Sequence, residues 1–161
     1  PRHPQRFDAV AAMVVDAGLT LMRRSTWGAL PPADAAAADV WLGDSMGEMA
    51  LYYAAADVAL LGGSFARLGG QNLIEAAACG CPVVMGPHTF NFSEAAEMSL
   101  AAGAAVRVAD IDEGVARAIA LVNDPSRDLW VHKALAFAAA HRGAAQRMAI
   151  EIVKLIDAGP R

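Results

Sequence analysis

A chain of 161 residues, of which 56% are hydrophobic and 19% charged, can bury a sizeable core without disulfides or metal ions, and this composition excludes an intrinsically disordered protein. The formal net charge of -4 at pH 7 excludes a globally basic surface that would bind nucleic acid or an anionic membrane. We therefore expect one domain, spanning residues 1–161, in which any anion-binding site is local.

The beginning of the chain and its cysteines indicate its setting. The opening "PRHPQRF" is typical of a loop, so we expect a fragment whose first strand lies upstream. Cys79 and Cys81 are too few and too close for a disulfide framework, and they favour inert thiols in a reducing, cytosolic compartment.

No apolar run reaches the roughly 20 residues of a membrane span, and the order of a signal peptide is missing, so we expect this fragment to be soluble.

The first third of the chain predicts a helix, a strand and a long connection. Apolar residues at helical spacing predict a helix over residues 5–18, with Gly18 as its stop. The run "LTLMRR" that begins at Leu19 predicts a strand. Residues 25–39 contain adjacent prolines and a four-alanine tract, which predict an exposed connection with at most one helical turn.

From residue 39 onward, short apolar strands alternate with helices. The predicted strands are "DVWLGD", "DVALLGG", "CPVVMG" and "AAVRVA"; the helices are "SMGEMALYYAAA", "GQNLIEAAACG", "NFSEAAEMSLAAG" and the remainder from about Asp112, which ends in an apolar stripe of Met148, Ile152, Leu155 and Ile156. Parallel strands require crossovers of this kind, and strands that are apolar at consecutive positions are covered on both faces. The sequence therefore predicts a doubly wound, Rossmann-like parallel α/β fold.

Glycines and polar residues follow the predicted strands. The loop "GDS" follows "VWL", "GGS" and later "GGQN" follow "VALL", and "GPHT" follows "PVVM". Ligands of open parallel sheets bind outside the carboxyl ends of the strands. We expect these loops, together with the opening "PRHP", to lie at one edge of the sheet and to form the ligand site.

The segment from Gly62 to Glu75 is the most informative part of the sequence. Gly69 and Gly70 allow close approach of a ligand to the backbone, and they precede a predicted helix whose start favours a phosphate. Asn72 can cap this helix or donate to a phosphate oxygen, and Glu75 can accept from ribose hydroxyls. The same residues also fit a tight turn with a capping box, so the residues alone leave both interpretations open. Neither GxGxxG nor a P-loop is present.

Other candidate residues have equally plain structural explanations. His88 can be an active-site residue or a structural hydrogen-bond donor. Arg2, His3 and Arg6 form a basic group that can receive a phosphate or be solvated. The two cysteines have no partner histidines, so the sequence predicts no metal site.

Four motifs occur in order along nearly the whole chain: "PRHPQRF", "GDSMGEM", "GGSFARLGGQNLIEAA" and "GPHTFNF". Together they resemble the C-terminal, donor-binding domain of the Kdo (3-deoxy-D-manno-octulosonic acid) transferases of lipopolysaccharide assembly. The resemblance implies the C-terminal half of a GT-B glycosyltransferase that is inverting, metal-independent and without cofactor, and that transfers Kdo from CMP-Kdo to the lipid A precursor. It also implies that the full-length protein works at the cytoplasmic face of the bacterial inner membrane.

Carried over by position, the resemblance implies ten donor-binding residues. Arg2 and His3 would contact the donor, and Ser45 and Met46 would lie against the cytosine, largely through backbone groups. Glu75 would hold the ribose. The residues that would hold the phosphate are Gly63, Ser64, Gly70, Gln71 and Asn72.

The chain departs from the family at two of these positions and lacks a catalytic residue. The family most often has histidine where this chain has Gln71, and threonine where it has Ser45. Gln71 can donate a hydrogen bond but cannot carry charge or a proton. The family's general base belongs to an N-terminal domain that also binds the lipid acceptor, so we expect this chain alone to bind donor nucleotide weakly and not to catalyse transfer.

Two alternatives differ from a Kdo transferase domain. One is the donor domain of another GT-B transferase that uses a UDP- or GDP-sugar, for which CMP and UMP would bind equally well. The other is a noncatalytic α/β nucleotide-binding module, which the loop-like start at Pro1 disfavours.

Overall fold

The computed structural model describes residues 3–141 and 153–154. Arg2 and the predicted stripe of Met148, Ile152, Leu155 and Ile156 lie outside the described residues. The chain divides into two compact units, Pro1–Tyr52 and Tyr53–Arg161.

The first unit contains a helix and a pair of parallel strands. Its elements are α1 (Phe7–Asp16), β1 (Leu21–Arg23) and β2 (Val40–Leu42), and helix α2 (Met49–Ala55) crosses into the second unit. The strands pair with Leu21 opposite Val40. At their start, Thr20 donates from its backbone nitrogen and hydroxyl to Asp39 Oδ2 at 2.8 and 2.6 Å, and Asp39 N donates back to Thr20 Oγ1 at 2.8 Å.

The connection between β1 and β2 is less open than its sequence suggests. It contains two single-turn 3-10 helices, Arg24–Thr26 and Ala35–Ala37. Most of its residues are exposed as predicted, but Ala35 is buried, and its carbonyl accepts a 2.6 Å hydrogen bond from Trp41 Nε1. Trp41 also meets Trp27 edge to face, so the tryptophans hold the connection against β2.

The second unit is a three-stranded parallel sheet with helices between its strands. Its strands are β3 (Ala59–Leu61), β4 (Val83–Met85) and β5 (Ala105–Arg107), and its other helices are α3 (Leu73–Ala78), α4 (Ser93–Ala101), α5 (Ile111–Val122) and α6 (Arg127–His141). The strands are ordered β3-β4-β5. Leu61, Met85 and Arg107 pair across the sheet, so the three strands end level with one another.

The central strand explains why helices cover both faces of this sheet. Val83 and Met85 pack in a core cluster with α3 and α6, whereas Val84, between them, packs in a second cluster with Leu121 of α5. Since successive side chains of a strand point to opposite faces, both faces of β4 are buried. This arrangement confirms the predicted parallel α/β fold, with the strands hydrogen-bonded in two separate groups.

Two helices begin later than their sequences suggest. The helix predicted from Ser45 begins at Met49, after a bend at Gly47, where φ is +81°. The helix predicted from "GQNL" begins at Leu73, because the residues before it form a left-handed turn.

Among the residues that the structure describes, no helix is long and apolar enough to cross a membrane.

Substitution of Gly86 tests how closely the chain packs after β4. A Cβ on Gly86 would lie 2.7 Å from the Ser64 carbonyl oxygen and 2.8 Å from Phe65 Cδ1. We expect Gly86→Ala to lower the free energy of unfolding by about 1 to 3 kcal/mol through overpacking. The control is Gly62→Ala, whose Cβ would meet nothing within 4 Å. Equal unfolding curves in denaturant for the two variants would contradict the prediction.

Candidate functional site

Two glycines in left-handed conformations shape the segment between β3 and α3. Gly69 and Gly70 have φ angles of +84° and +83°. These two residues form the glycine turn, which brings Gly70 N to 3.3 Å from the Gly63 carbonyl oxygen. It also lays Gln71 over Gly63, whose nitrogen donates to Gln71 Oε1 at 3.4 Å. The structure therefore brings together Gly63, Gly70 and Gln71, as the site prediction requires.

Asn72 and Glu75 combine a helix cap with an oriented carboxylate. Asn72 Oδ1 accepts a 3.1 Å hydrogen bond from Ile74 N and so caps α3, as the structural alternative predicted. Asn72 Nδ2 donates to Glu75 Oε1 at 3.0 Å. Glu75 is exposed, and this bond fixes the direction of its carboxylate. Asn72 thus serves the fold directly and can affect a ligand through Glu75.

Ser64 joins the loops that follow β3 and β4. Its side chain is fully buried, and its hydroxyl donates to the Leu61 carbonyl oxygen at 2.6 Å and accepts from Gly86 N at 2.7 Å. Its own carbonyl accepts a 2.9 Å bond from His88 N. The Ser64 hydroxyl is therefore occupied inside the protein, and His88 contributes through its main chain to the same junction. This gives Ser64 a structural role in the site.

Arg107 is a cation near the glycine turn that the sequence analysis did not single out. It is the last residue of β5; its Nη2 lies 2.8 Å from Glu97 Oε1 in an ion pair and donates to Thr89 Oγ1 at 3.3 Å. Its Nε is buried without a hydrogen-bond partner among the described residues. Thr89 in turn lies against Gly70, since a Cβ there would be 3.4 Å from Thr89 Cα. The signal in the sequence is an arginine at the end of an apolar strand.

In the first unit, Asp44 is a buried carboxylate that ties β2 to the chain after β1. Its Oδ1 accepts from Ser25 N at 2.7 Å, and its Oδ2 accepts from Ser25 Oγ and Arg23 Nε, each at 2.6 Å. Burial raises the pKa of Asp44, but the hydrogen bonds from Ser25 and Arg23 outweigh it and lower that pKa to about 2. Arg23 also pairs with Asp8 of α1, at 2.8 Å.

Ser45 is held by its own side-chain network. Its hydroxyl donates to Glu48 Oε2 and lies 2.5 Å from Tyr52 Oη, and Arg24 Nη2 donates to Glu48 Oε1 at 2.7 Å. The hydrogen bond from Ser45, followed by those from Tyr52 and Arg24, lowers the pKa of Glu48 against the effect of burial. The side chain of Ser45 is thus engaged within the protein. A base contact at this position would fall to the backbone, as the resemblance implied.

Two further predicted residues of the first unit, Met46 and His3, are open to solvent. Met46 is 67% exposed beside the bend at Gly47. His3 is exposed, and its carbonyl accepts a 3.0 Å bond from Arg6 N at the start of a 3-10 turn. The donor-binding roles of Met46 and His3 stay predictions.

The described residues offer no metal centre and one inert thiol. Within residues 3–141 and 153–154, no three His, Cys, Asp or Glu side chains are grouped to hold a metal ion. Cys81 is buried, and burial raises the pKa of its thiol to about 11, so it stays protonated at neutral pH.

No protein-family model matches the chain. It is 54% identical over 148 residues to a 3-deoxy-D-manno-octulosonic acid transferase of Bordetella pertussis, across 91% of this chain and 34% of that protein. It is 38% identical over 150 residues to the Haemophilus influenzae transferase of the same name, across 92% of this chain and 34% of that protein. The chain thus spans about a third of the length of the curated relatives it matches.

A solved structure covers most of the chain. The crystal structure of the C-terminal CMP-Kdo binding domain of WaaA from Acinetobacter baumannii superposes with a TM-score of 0.75 and 32% identity, covering 85% of this chain and 70% of that one. The chain belongs to the Kdo transferase family. Its fold is that of the family's C-terminal domain, which confirms the expected half of a GT-B glycosyltransferase.

The low pKa of Asp44 predicts an acid-dependent loss of stability. Because the folded pKa of about 2 lies below the ordinary 3.8, the carboxylate stabilises the fold above about pH 4 and loses this effect as the pH falls toward 2. We expect Asp44→Asn to lower the free energy of unfolding at pH 7 by on the order of 2 kcal/mol and to flatten its dependence on pH in that window.

The control for this prediction is Asp34→Asn, which changes an exposed carboxylate of the same unit. Denaturant unfolding at a series of pH values measures both variants. If Asp44→Asn changed the free energy of unfolding by the same amount at pH 2 and pH 7, the ionised carboxylate of Asp44 would not be the source of the stabilisation.

Proposed function

We propose that this chain is the donor-binding domain of a Kdo transferase and binds CMP-Kdo for transfer of Kdo to the lipid A precursor in lipopolysaccharide biosynthesis. The observation that carries the proposal is the 32% identity to a solved CMP-Kdo binding domain, at a TM-score of 0.75. The glycine turn adds a local reason, because its two residues without Cβ atoms let a phosphate approach the main chain closely.

The phosphate of the donor would lie beside Gly63, Gly70 and Gln71. The two glycines have no side chains to keep a phosphate away from the main chain. Gln71 uses its Oε1 on Gly63 N, and the amide nitrogen of the same group is a donor suited to a phosphate oxygen. Recognition of this kind relies on the neutral Gln71 amide and on the close approach that the glycine main chain allows.

Glu75 would accept hydrogen bonds from the ribose hydroxyls. The carboxylate is exposed and is oriented by its 3.0 Å bond from Asn72. A carboxylate disfavours a phosphate at the same spot, whereas two neighbouring hydroxyls can both donate to it. The cytosine would meet the backbone at Ser45 and the exposed Met46, and Arg2 and His3 would contact the donor as well.

Catalysis in this proposal belongs to the full-length enzyme. The relatives extend far beyond the matched segment, which is 34% of their length, and we place the general base and the lipid acceptor site in that remainder. The transfer would be inverting and would need neither metal nor cofactor, at the cytoplasmic face of the inner membrane. The chain alone would bind donor nucleotide weakly and would not transfer Kdo.

Nucleotide selectivity tests the proposal directly. We expect CMP to shift the backbone amide resonances of residues 43–48 and 62–75 more strongly than UMP or inorganic phosphate, because the base contact distinguishes cytosine from uracil. Titration of the chain with each compound, followed by NMR, measures this. Equal responses to CMP and UMP would favour a transferase with another donor, and no response to either would reject donor binding by this segment.

Glu75→Ala tests the ribose contact. We expect CMP affinity to fall by on the order of 1 to 3 kcal/mol, as for other hydrogen bonds to a charged group. The matched control is Glu113→Ala, since Glu113 also lies in the first turn of a helix, three residues after the capping Asp110. Calorimetric titration with CMP compares the two. Parent-like affinity in folded Glu75→Ala would remove Glu75 from the site.

A further inference from the structure

Asn91 makes two hydrogen bonds to the glycine turn that precedes α3. Its backbone nitrogen donates to the Gly69 carbonyl oxygen at 3.1 Å, and its Nδ2 donates to the Leu68 carbonyl oxygen at 3.2 Å. The two accepting carbonyls are consecutive in the chain. One residue of the loop after β4 therefore fixes two successive peptide groups of the loop after β3.

The contact is steric as well as polar. A Cβ on Gly69 would lie 2.5 Å from Asn91 Cγ and 2.7 Å from Phe90 Cε2. The Asn91 side chain thus fills the space that any other residue at position 69 would need, and Gly69 is buried beneath it. Left-handed glycines can adopt many other conformations, so a turn of two of them stays in one shape only when its surroundings hold it.

The loop that carries Asn91 is itself anchored. Residues Phe90–Phe92 form a 3-10 turn, closed by a 2.8 Å bond from Phe92 N to the Thr89 carbonyl oxygen, and lead directly into α4. Phe92 packs on the main core cluster of the second unit. Asn91 is therefore an exposed side chain on a backbone that the core holds in place.

We infer that Asn91 is a positioning residue of the donor site. It holds Gly69 and Gly70 in the conformation that presents Gly70 and Gln71 to the phosphate, without touching the nucleotide sugar itself. This inference rests on the proposed function, and it assigns a task to part of the "GPHTFNF" motif. Because Asn91 is exposed, its loss affects the order of the turn far more than global stability.

The test replaces Asn91 by leucine, which has a similar shape but no hydrogen-bonding group. We expect backbone amides of Gly69 to Gln71 to exchange with solvent about fivefold faster in Asn91→Leu without nucleotide, and CMP affinity to fall by a similar factor, as one lost hydrogen bond predicts. Asn91→Ser, which is too short to reach Leu68, is a second variant with the same expectation.

The matched control is Asn123→Leu, which removes another exposed side-chain amide bond to a carbonyl, from Asn123 Nδ2 to Ile119 O at 2.8 Å. It is expected to leave both measurements at the parent values. Parent-like exchange at the turn in both Asn91 variants, or faster exchange with unchanged CMP affinity, would overturn the inference. Absence of CMP binding by the parent chain would instead reject the proposed function, and with it any role of Asn91 in affinity.

Discussion

The Ser64 hydroxyl links the ends of two neighbouring parallel strands, and the geometry of the candidate site depends on that link. It donates to the last residue of β3 and accepts from Gly86, the first residue after β4. Because both bonds are fully buried, loss of either would leave a polar group without a partner at a cost of about 1 to 3 kcal/mol. The level ends of β3, β4 and β5 and this shared hydroxyl bring the two loops close enough for Asn91 to reach Gly69.

Three polar side chains that were predicted to bind the donor are engaged within the protein. Ser64 joins two loops, Asn72 caps α3, and Ser45 is bonded to Glu48. In the second unit the proposed ligand groups are then the Gln71 amide nitrogen and the exposed Glu75 carboxylate, because Gly63 N and Gly70 N already donate to Gln71 Oε1 and to the Gly63 carbonyl oxygen. A site of this kind depends on backbone shape, which explains why residues that fix the backbone, such as Asn91, matter as much as those that touch the ligand.

The sequence predicted the order of the elements because each is local: apolar strands, crossover helices and glycine breaks are visible in short windows. It also predicted the turn, since Gly69, Gly70 and Asn72 are neighbours in the chain. The roles of Ser64 and Asn91 in joining the two loops could not be predicted, because the bonds from Gly86 N to Ser64 Oγ and from Asn91 Nδ2 to Leu68 O span 22 and 23 residues and depend on the strand register. Helix starts were predicted too early where left-handed glycines delay the first helical residue.

Gln71 shows how the turn and its chemistry are coupled. Its Oε1 accepts from Gly63 N, so the side chain helps to close the turn. The Nε2 of the same amide can still donate to another group. A histidine in place of Gln71 could accept from Gly63 N only when neutral, and once protonated it would have donors alone. The neutral amide can therefore close the turn and, in the proposed site, donate to a phosphate oxygen without a change of protonation state. Among the described residues of the second unit, Arg107 is a cation close to Gly70 through Thr89, but its Nη2 is paired with Glu97, so its charge is already partly neutralised within the protein.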